Sequence, residues 1–135
     1  MEIQTPEPIT LNQYQQRAMI TCTPSCNNFS YMMLNLVGEV GELSSKVAKA
    51  IRKEDAHIGG FSEARAGDCN LYFTFSEDYA DMMEHIKLEA GDILWQLAGL
   101  CTVFGWEFEE VARMNLQKLA SRHERGKIIG DGDDR

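Results

Sequence analysis

From Leu11 onward, apolar residues return every third or fourth position in four blocks, the period of an α-helix with one covered face. The first block carries Leu11, Tyr14, Ala18 and Met19. It opens at Thr10-Leu11-Asn12-Gln13, where Thr10 is placed to cap and Gln13 to reach back, and it predicts a helix to about Thr21. Thr23-Pro24-Ser25 breaks the pattern. A second stripe, Met33, Leu36, Val37, Val40, Leu43, Val47 and Ile51, predicts a helix from an N-cap at Ser30 to about Lys53. The third block, capped by Ser76 and running to about Phe104, carries Tyr79, Met82, Ile86, Ile93, Leu97, Leu100 and Phe104; Gly105 ends it. Phe108 to about His123 makes a fourth helix, with Val111, Met114 and Leu119 facing inward. The fold expected is an all-α, four-helix bundle in a single domain over residues 1–135. Residues 1–9 read as an extended lead-in and the glycine-rich 126–135 as a flexible tail. Between the second and third helices the helical period fails. Gly59-Gly60 and Gly67-Asp68 are turn signals and Asn70–Phe75 has strand propensity, so residues 54–77 predict a small hairpin insertion.

Chemistry enters with the acids inside these blocks. Val37-Gly38-Glu39-Val40-Gly41-Glu42-Leu43 and Leu88-Glu89-Ala90-Gly91-Asp92-Ile93-Leu94 each hold two carboxylates three residues apart. On a helix that spacing puts both on one face, with Cβ atoms about 5–6 Å apart. Four acids on core helices repel one another and lose hydration unless a cation holds them. Gly38, Gly41 and Gly91 each precede an acid, and small residues there are expected to let two helices approach until the carboxylates converge. Lys46 lies one turn beyond Glu42, either on a solvated helix face or placed to help hold phosphate. Gln96 lies one turn beyond Asp92, its amide directed toward the same cavity. His85 precedes Glu89 by one turn and reads as an ordinary surface or core histidine. Trp95 reads as core. Asn115, Lys118 and Arg122 share a polar face of the fourth helix.

Glu-x-x-Glu followed by Glu-x-x-Asp, within Leu-Val-Gly-Glu-Val-Gly-Glu-Leu and Gly-Asp-Ile-Leu-Trp and with Asn115-x-x-Lys118 after them, resembles the MazG-type all-α NTP pyrophosphohydrolases, the family that includes dCTP pyrophosphatase. The resemblance covers residues 10–53, 78–104 and 108–125. It implies hydrolysis of an NTP or dNTP at the α-phosphorus to a nucleoside monophosphate and pyrophosphate. Glu39, Glu42, Glu89 and Asp92 would ligate Mg²⁺, with Mn²⁺ as a substitute. Glu39 or Glu42 would take the proton of the attacking water. Asn115 and Lys118, with Arg122 one turn further on, would bind triphosphate oxygens, Lys as a point charge and Arg as a fork. The chain departs from the family in two places. The interval between the acid motifs is long, which the expected insertion explains. At Gln96 the family usually carries an aromatic, and an amide reads hydrogen-bonding edges where an aromatic stacks.

Composition narrows the partners. With Lys+Arg 13 against Asp+Glu 21, the net charge is −8. That argues against a nucleic-acid polymer, which needs a basic footprint, but not against an anionic nucleotide bound through metal. Cys22 and Cys26 are followed by no second pair at zinc spacing, and Glu54-x-x-His57 has no second copy of the kind a di-iron bundle needs, so neither metal is expected. With no signal peptide or membrane-length apolar run, the expected compartment is cytoplasm and no membrane partner is expected. Two amphipathic stripes per long helix point to self-association as a homodimer or homotetramer. Two rivals remain: a non-catalytic helical interaction module of the same fold, and a hydrolase of another pyrophosphate-linked nucleotide. Retention of all four acids weighs against the first.

Overall fold

The computed structural model describes residues 8–54, 56–58, 71–73 and 79–128. Among them are four α-helices: α1 (Leu11–Ala18), α2 (Phe29–Arg52), α3 (Tyr79–Phe104) and α4 (Phe108–Glu124). The fold is all-α, with one short antiparallel pair, β1 (Ala56–Ile58) and β2 (Leu71–Phe73), in the expected insertion. Its register sets Ala56 opposite Phe73 and Ile58 opposite Leu71. The predicted Ser76 cap, most of the lead-in and most of the C-terminal tail fall outside the described residues.

Helix ends follow local chemistry closely. Thr10 Oγ1 accepts from the Gln13 amide at 3.1 Å and Gln13 Oε1 accepts from the Thr10 amide at 2.9 Å, completing the capping box. The first helix ends earlier than its apolar pattern suggested. It tightens into a 3₁₀ turn at Met19–Thr21, where the chain must turn toward Pro24. The second helix starts at Phe29, and its cap is Asn28 rather than Ser30: Asn28 Oδ1 accepts from the Tyr31 amide at 2.8 Å. Gly105, at φ +69°, closes α3. Its amide bonds Thr102 O at 3.1 Å and the Trp106 amide bonds Cys101 O at 2.8 Å, the paired pattern that a left-handed glycine permits.

The chain divides into two compact units. One comprises the chain up to Met32 together with Leu97 onward; the other is Met33–Gln96. In the first unit α1 packs on α4. The N-cap residue of α4, Glu107, makes no side-chain cap bond. Two side chains of α1 replace it: Gln15 Oε1 accepts from the Phe108 amide at 2.9 Å and Asn12 Oδ1 from the Glu109 amide at 3.0 Å. Gln15 Nε2 also donates to Trp106 O at 2.9 Å, so one carboxamide closes both sides of the α3–α4 turn. Buried Ala98, Cys101 and Phe108 form this unit's core with Met32. Met32 lies against Gly99, where any side chain would collide with its sulfur and methyl.

Several inward-facing assignments differ from the sequence pattern. Val37 is 69% exposed, Val40 is also exposed, and the covered line of α2 is Met32, Leu36, Glu39, Leu43, Lys46 and Ala50. The acid and the lysine therefore occupy positions that a helical seam usually fills with apolar residues. On α4, Met114 is 62% exposed and Leu119 is exposed, while Arg122 is buried. Helical spacing fixes which residues share a face, not which face the chain covers. The glycines beside the acids are not points of close approach. Among the described residues nothing lies within 4 Å of a Cβ built on Gly41 or Gly91, and Gly38 meets only Asn35 Oδ1 at 3.9 Å.

Candidate metal centre

The second unit brings the acid motifs together. Glu39 on α2 and Glu89 and Asp92 on α3 each place a ligand atom within 4.8 Å of the others. Glu89 is 7% exposed, Glu39 half-buried and Asp92 exposed, so the group runs from the helix seam out to solvent. Helical period accounts for it: Glu39 sits on the covered line of α2, and Glu89 and Asp92 are neighbours one turn apart on α3. Glu42, one turn beyond Glu39, is exposed and lies outside the group of three.

Two side chains tune these acids. Asn35 Nδ2 donates to Glu39 Oε1 at 2.9 Å across one turn of α2, fixing that carboxylate. Asn35 escaped the sequence reading, although its spacing of four from Glu39 was the available signal. Lys46 Nζ pairs with Glu89 Oε1. Burial pushes the Glu39 pKa up, and the charges of Asp92, Glu42 and Glu89 push the same way, against the opposing pull of the Asn35 hydrogen bond. The donor set suits a hard divalent cation. Octahedral Mg²⁺ at about 2.1 Å sets opposite oxygens about 4.2 Å apart, within a small side-chain adjustment of the spacing observed. The Lys46 ammonium already stands as a cation beside the most buried acid.

The other predicted site residues fall as follows. Gln96 is 2% exposed, and its Oε1 has no hydrogen-bond partner among the described residues. A buried amide oxygen without a partner costs about 1–3 kcal/mol, which marks it as a group with an unmet use. His85 is exposed. In the first unit, Asn115 and Lys118 line a hollow of about 580 Å³ with Trp106, Glu110, Val111 and Met114. Trp106 stacks on Phe104 at 4.6 Å, and Phe104 meets Phe29 edge-on at 5.7 Å. Arg122 is buried and is not among the lining residues of that hollow.

Comparison with known proteins gives the family. The MazG nucleotide pyrophosphohydrolase domain matches residues 27–126, and the chain belongs to that family. It is also similar to the Gene 37 protein of Mycobacterium phage L5, 32% identical over 111 residues, which cover 82% of this chain and 80% of that protein. No solved structure matches significantly. Among the described residues, no helix is long and apolar enough to cross a membrane.

Proposed function

We propose that the protein is a Mg²⁺-dependent pyrophosphohydrolase that converts a nucleoside triphosphate, NTP or dNTP, to monophosphate and pyrophosphate. The observation that carries this reading is the convergence of Glu39, Glu89 and Asp92 from two helices in a chain of this family. Bound there, Mg²⁺ supplies neutralisation of phosphate charge and a water of lowered pKa. Glu39, Glu89 and Asp92 hold the cation, with Glu42 as the fourth acid. Asn35 keeps the Glu39 carboxylate in place. Glu39 or Glu42 accepts the proton of the attacking water; Glu42, exposed and outside the group of three, has its oxygens available for that role. Lys46 meets phosphate oxygen near Glu89. Gln96 offers its unpartnered oxygen to a nucleobase donor. Asn115, Lys118 and Arg122 are proposed as further substrate-binding residues on α4.

The chain acts as one functional domain in the cytoplasm and self-associates as a homodimer or homotetramer. Support for association comes from exposed apolar side chains on three helices: Leu34 and Val37 on α2, Leu88 on α3, Met114 and Leu116 on α4. The test is incubation with Mg²⁺ and a panel of NTPs and dNTPs, resolving monophosphate, diphosphate, pyrophosphate and orthophosphate. Monophosphate and pyrophosphate in equal amounts are expected. Orthophosphate alone from every nucleotide would overturn the α-phosphorus assignment.

A further inference from the structure

Beside the acid group, the second unit holds a groove of about 420 Å³ lined by Lys46, Lys49, Lys53 and Ala50 of α2 and by Asp81, Met82 and His85 of α3. The three lysines are spaced three and four apart, so they form one row. At 1.5 Å rise per residue that row is about 10 Å long, several phosphate groups in length. Lys46 ties the groove to the acids through its ion pair with Glu89. The side chains of Lys49 and Lys53 have no hydrogen-bond or ion-pair partner among the described residues, and His85 of α3 lines the same groove. Asp81 is the one carboxylate among these lining residues. A solvated helix face explains exposed lysines but not their alignment along a groove that ends at a carboxylate cluster. In a chain of net charge −8, three aligned ammonium groups give a local field opposite to that of the molecule.

We propose that this groove is an oligophosphate subsite in which Lys49 and Lys53, with His85 of α3, hold the phosphates beyond the scissile bond. The inference rests on the hydrolase reading and adds what that reading lacks, a basis for counting phosphates. Water oxygen bonds to the α-phosphorus, the bond from that phosphorus to the α–β bridging oxygen breaks, and the bridging oxygen leaves with pyrophosphate. The leaving group then lies along the lysine row. The one negative charge gained by the bridging oxygen, with those already on the two phosphates, meets ammonium groups there in charge-assisted contacts. The site therefore favours chains of three phosphates over two and retains pyrophosphate after the reaction.

The test compares wild type with Lys49→Gln/Lys53→Gln, which removes charge while keeping length at two exposed positions. Kinetics are measured on a nucleoside triphosphate and inhibition by the matching diphosphate. Binding of inorganic tripolyphosphate and orthophosphate is measured by calorimetry with Mg²⁺ in constant excess. In the variant, kcat/KM for the triphosphate and affinity for tripolyphosphate should each fall on the order of 10- to 100-fold. Diphosphate inhibition should weaken less than tripolyphosphate binding, since its single phosphate beyond the α–β bond reaches only the near end of the row, and orthophosphate binding should change less than about threefold. Lys49→Arg/Lys53→Arg should restore tripolyphosphate binding. Equal losses for long and short phosphates, or unchanged tripolyphosphate binding, would overturn the subsite. If wild type releases no pyrophosphate from any nucleotide, the hydrolase reading fails instead. The tripolyphosphate measurement still decides whether the lysines bind oligophosphate.

Discussion

Replacing Glu39 by Gln should stabilise the protein in the absence of metal. The substitution keeps an acceptor for Asn35 Nδ2 and nearly the same volume, and it removes one of three charges whose ligand atoms lie within 4.8 Å. Two unit charges at that separation repel by about 1 kcal/mol at the dielectric of water and about 3.5 kcal/mol at an effective dielectric of 20. Glu39 is half-buried, Asp92 is exposed, and Lys46 already offsets Glu89, so the lower end applies, about 1–2 kcal/mol. At roughly 4 °C per kcal/mol for a domain of this size, the metal-free variant should melt about 4–8 °C above wild type. The sign with pH follows from the raised Glu39 pKa. The folded state then binds the proton more tightly than the unfolded chain. The penalty is therefore fully present above the folded pKa, shrinks as pH falls through it, and vanishes below the unfolded value. The gap between variant and wild type should be widest at neutral pH and close on acidification. Mg²⁺ should reverse the order, because a ligand at 100 times its Kd stabilises wild type by about 2.7 kcal/mol and the variant by much less. Thermal melts across pH, with and without Mg²⁺ at fixed ionic strength, measure all three effects. A variant that melts well below wild type without metal, and still shows the full Mg²⁺ shift, would refute the reasoning.

Other expectations follow from particular contacts. Gly99→Ala should destabilise by about 1–2 kcal/mol despite its better helix propensity, because the new methyl overlaps the fully buried Met32; Met32→Ala should cost less in the Gly99→Ala background than alone, which denaturant melts of the four-member cycle would show. Gln15→Ala should cost about 1–3 kcal/mol by leaving the Phe108 amide and Trp106 carbonyl without their protein partner, and hydrogen exchange should speed at the first turn of α4. Cys26, whose thiol pKa is lowered first by the hydrogen bond from Thr23 at 3.1 Å, should be alkylated at lower pH than Cys22, which burial pushes up; mass spectrometry of iodoacetamide-treated protein against pH separates them.

Much of the fold was legible because short-range chemistry wrote it. The Thr10 capping box, the Gly105 stop, the four helical blocks and the strand-like residues before α3 all depend on neighbours within a few positions. The pairing of Glu89 with Asp92 on one face was legible too, since three-residue spacing on a helix makes them neighbours, whereas Glu42, at the same spacing from Glu39, lies outside the group of three. Tertiary choice was not. Val37, Met114 and Leu119 fit the apolar period, yet lie exposed. Glu39 and Lys46 break the period, yet lie on the covered line of α2. Nothing local distinguishes an apolar face that packs within the chain from one left to solvent. The trans-capping of α4 by Asn12 and Gln15 was invisible for the same reason, because those partners are more than ninety residues apart. Glycine was misread in one respect: the close approach is at Gly99, whereas Gly38, Gly41 and Gly91 drew notice through their place beside the acids.

The central claim is that the carboxylates converging from α2 and α3 form a divalent-metal site. Calorimetric titration of Mg²⁺ into wild type and Asp92→Asn tests it most directly, without any nucleotide. Asp92 is exposed, so the substitution leaves the fold intact while removing one hard anionic ligand. Saturable binding by wild type, weakened on the order of 10- to 100-fold in the variant, is the predicted result. Equal affinities in the two proteins, or no saturable binding by wild type, would contradict the account.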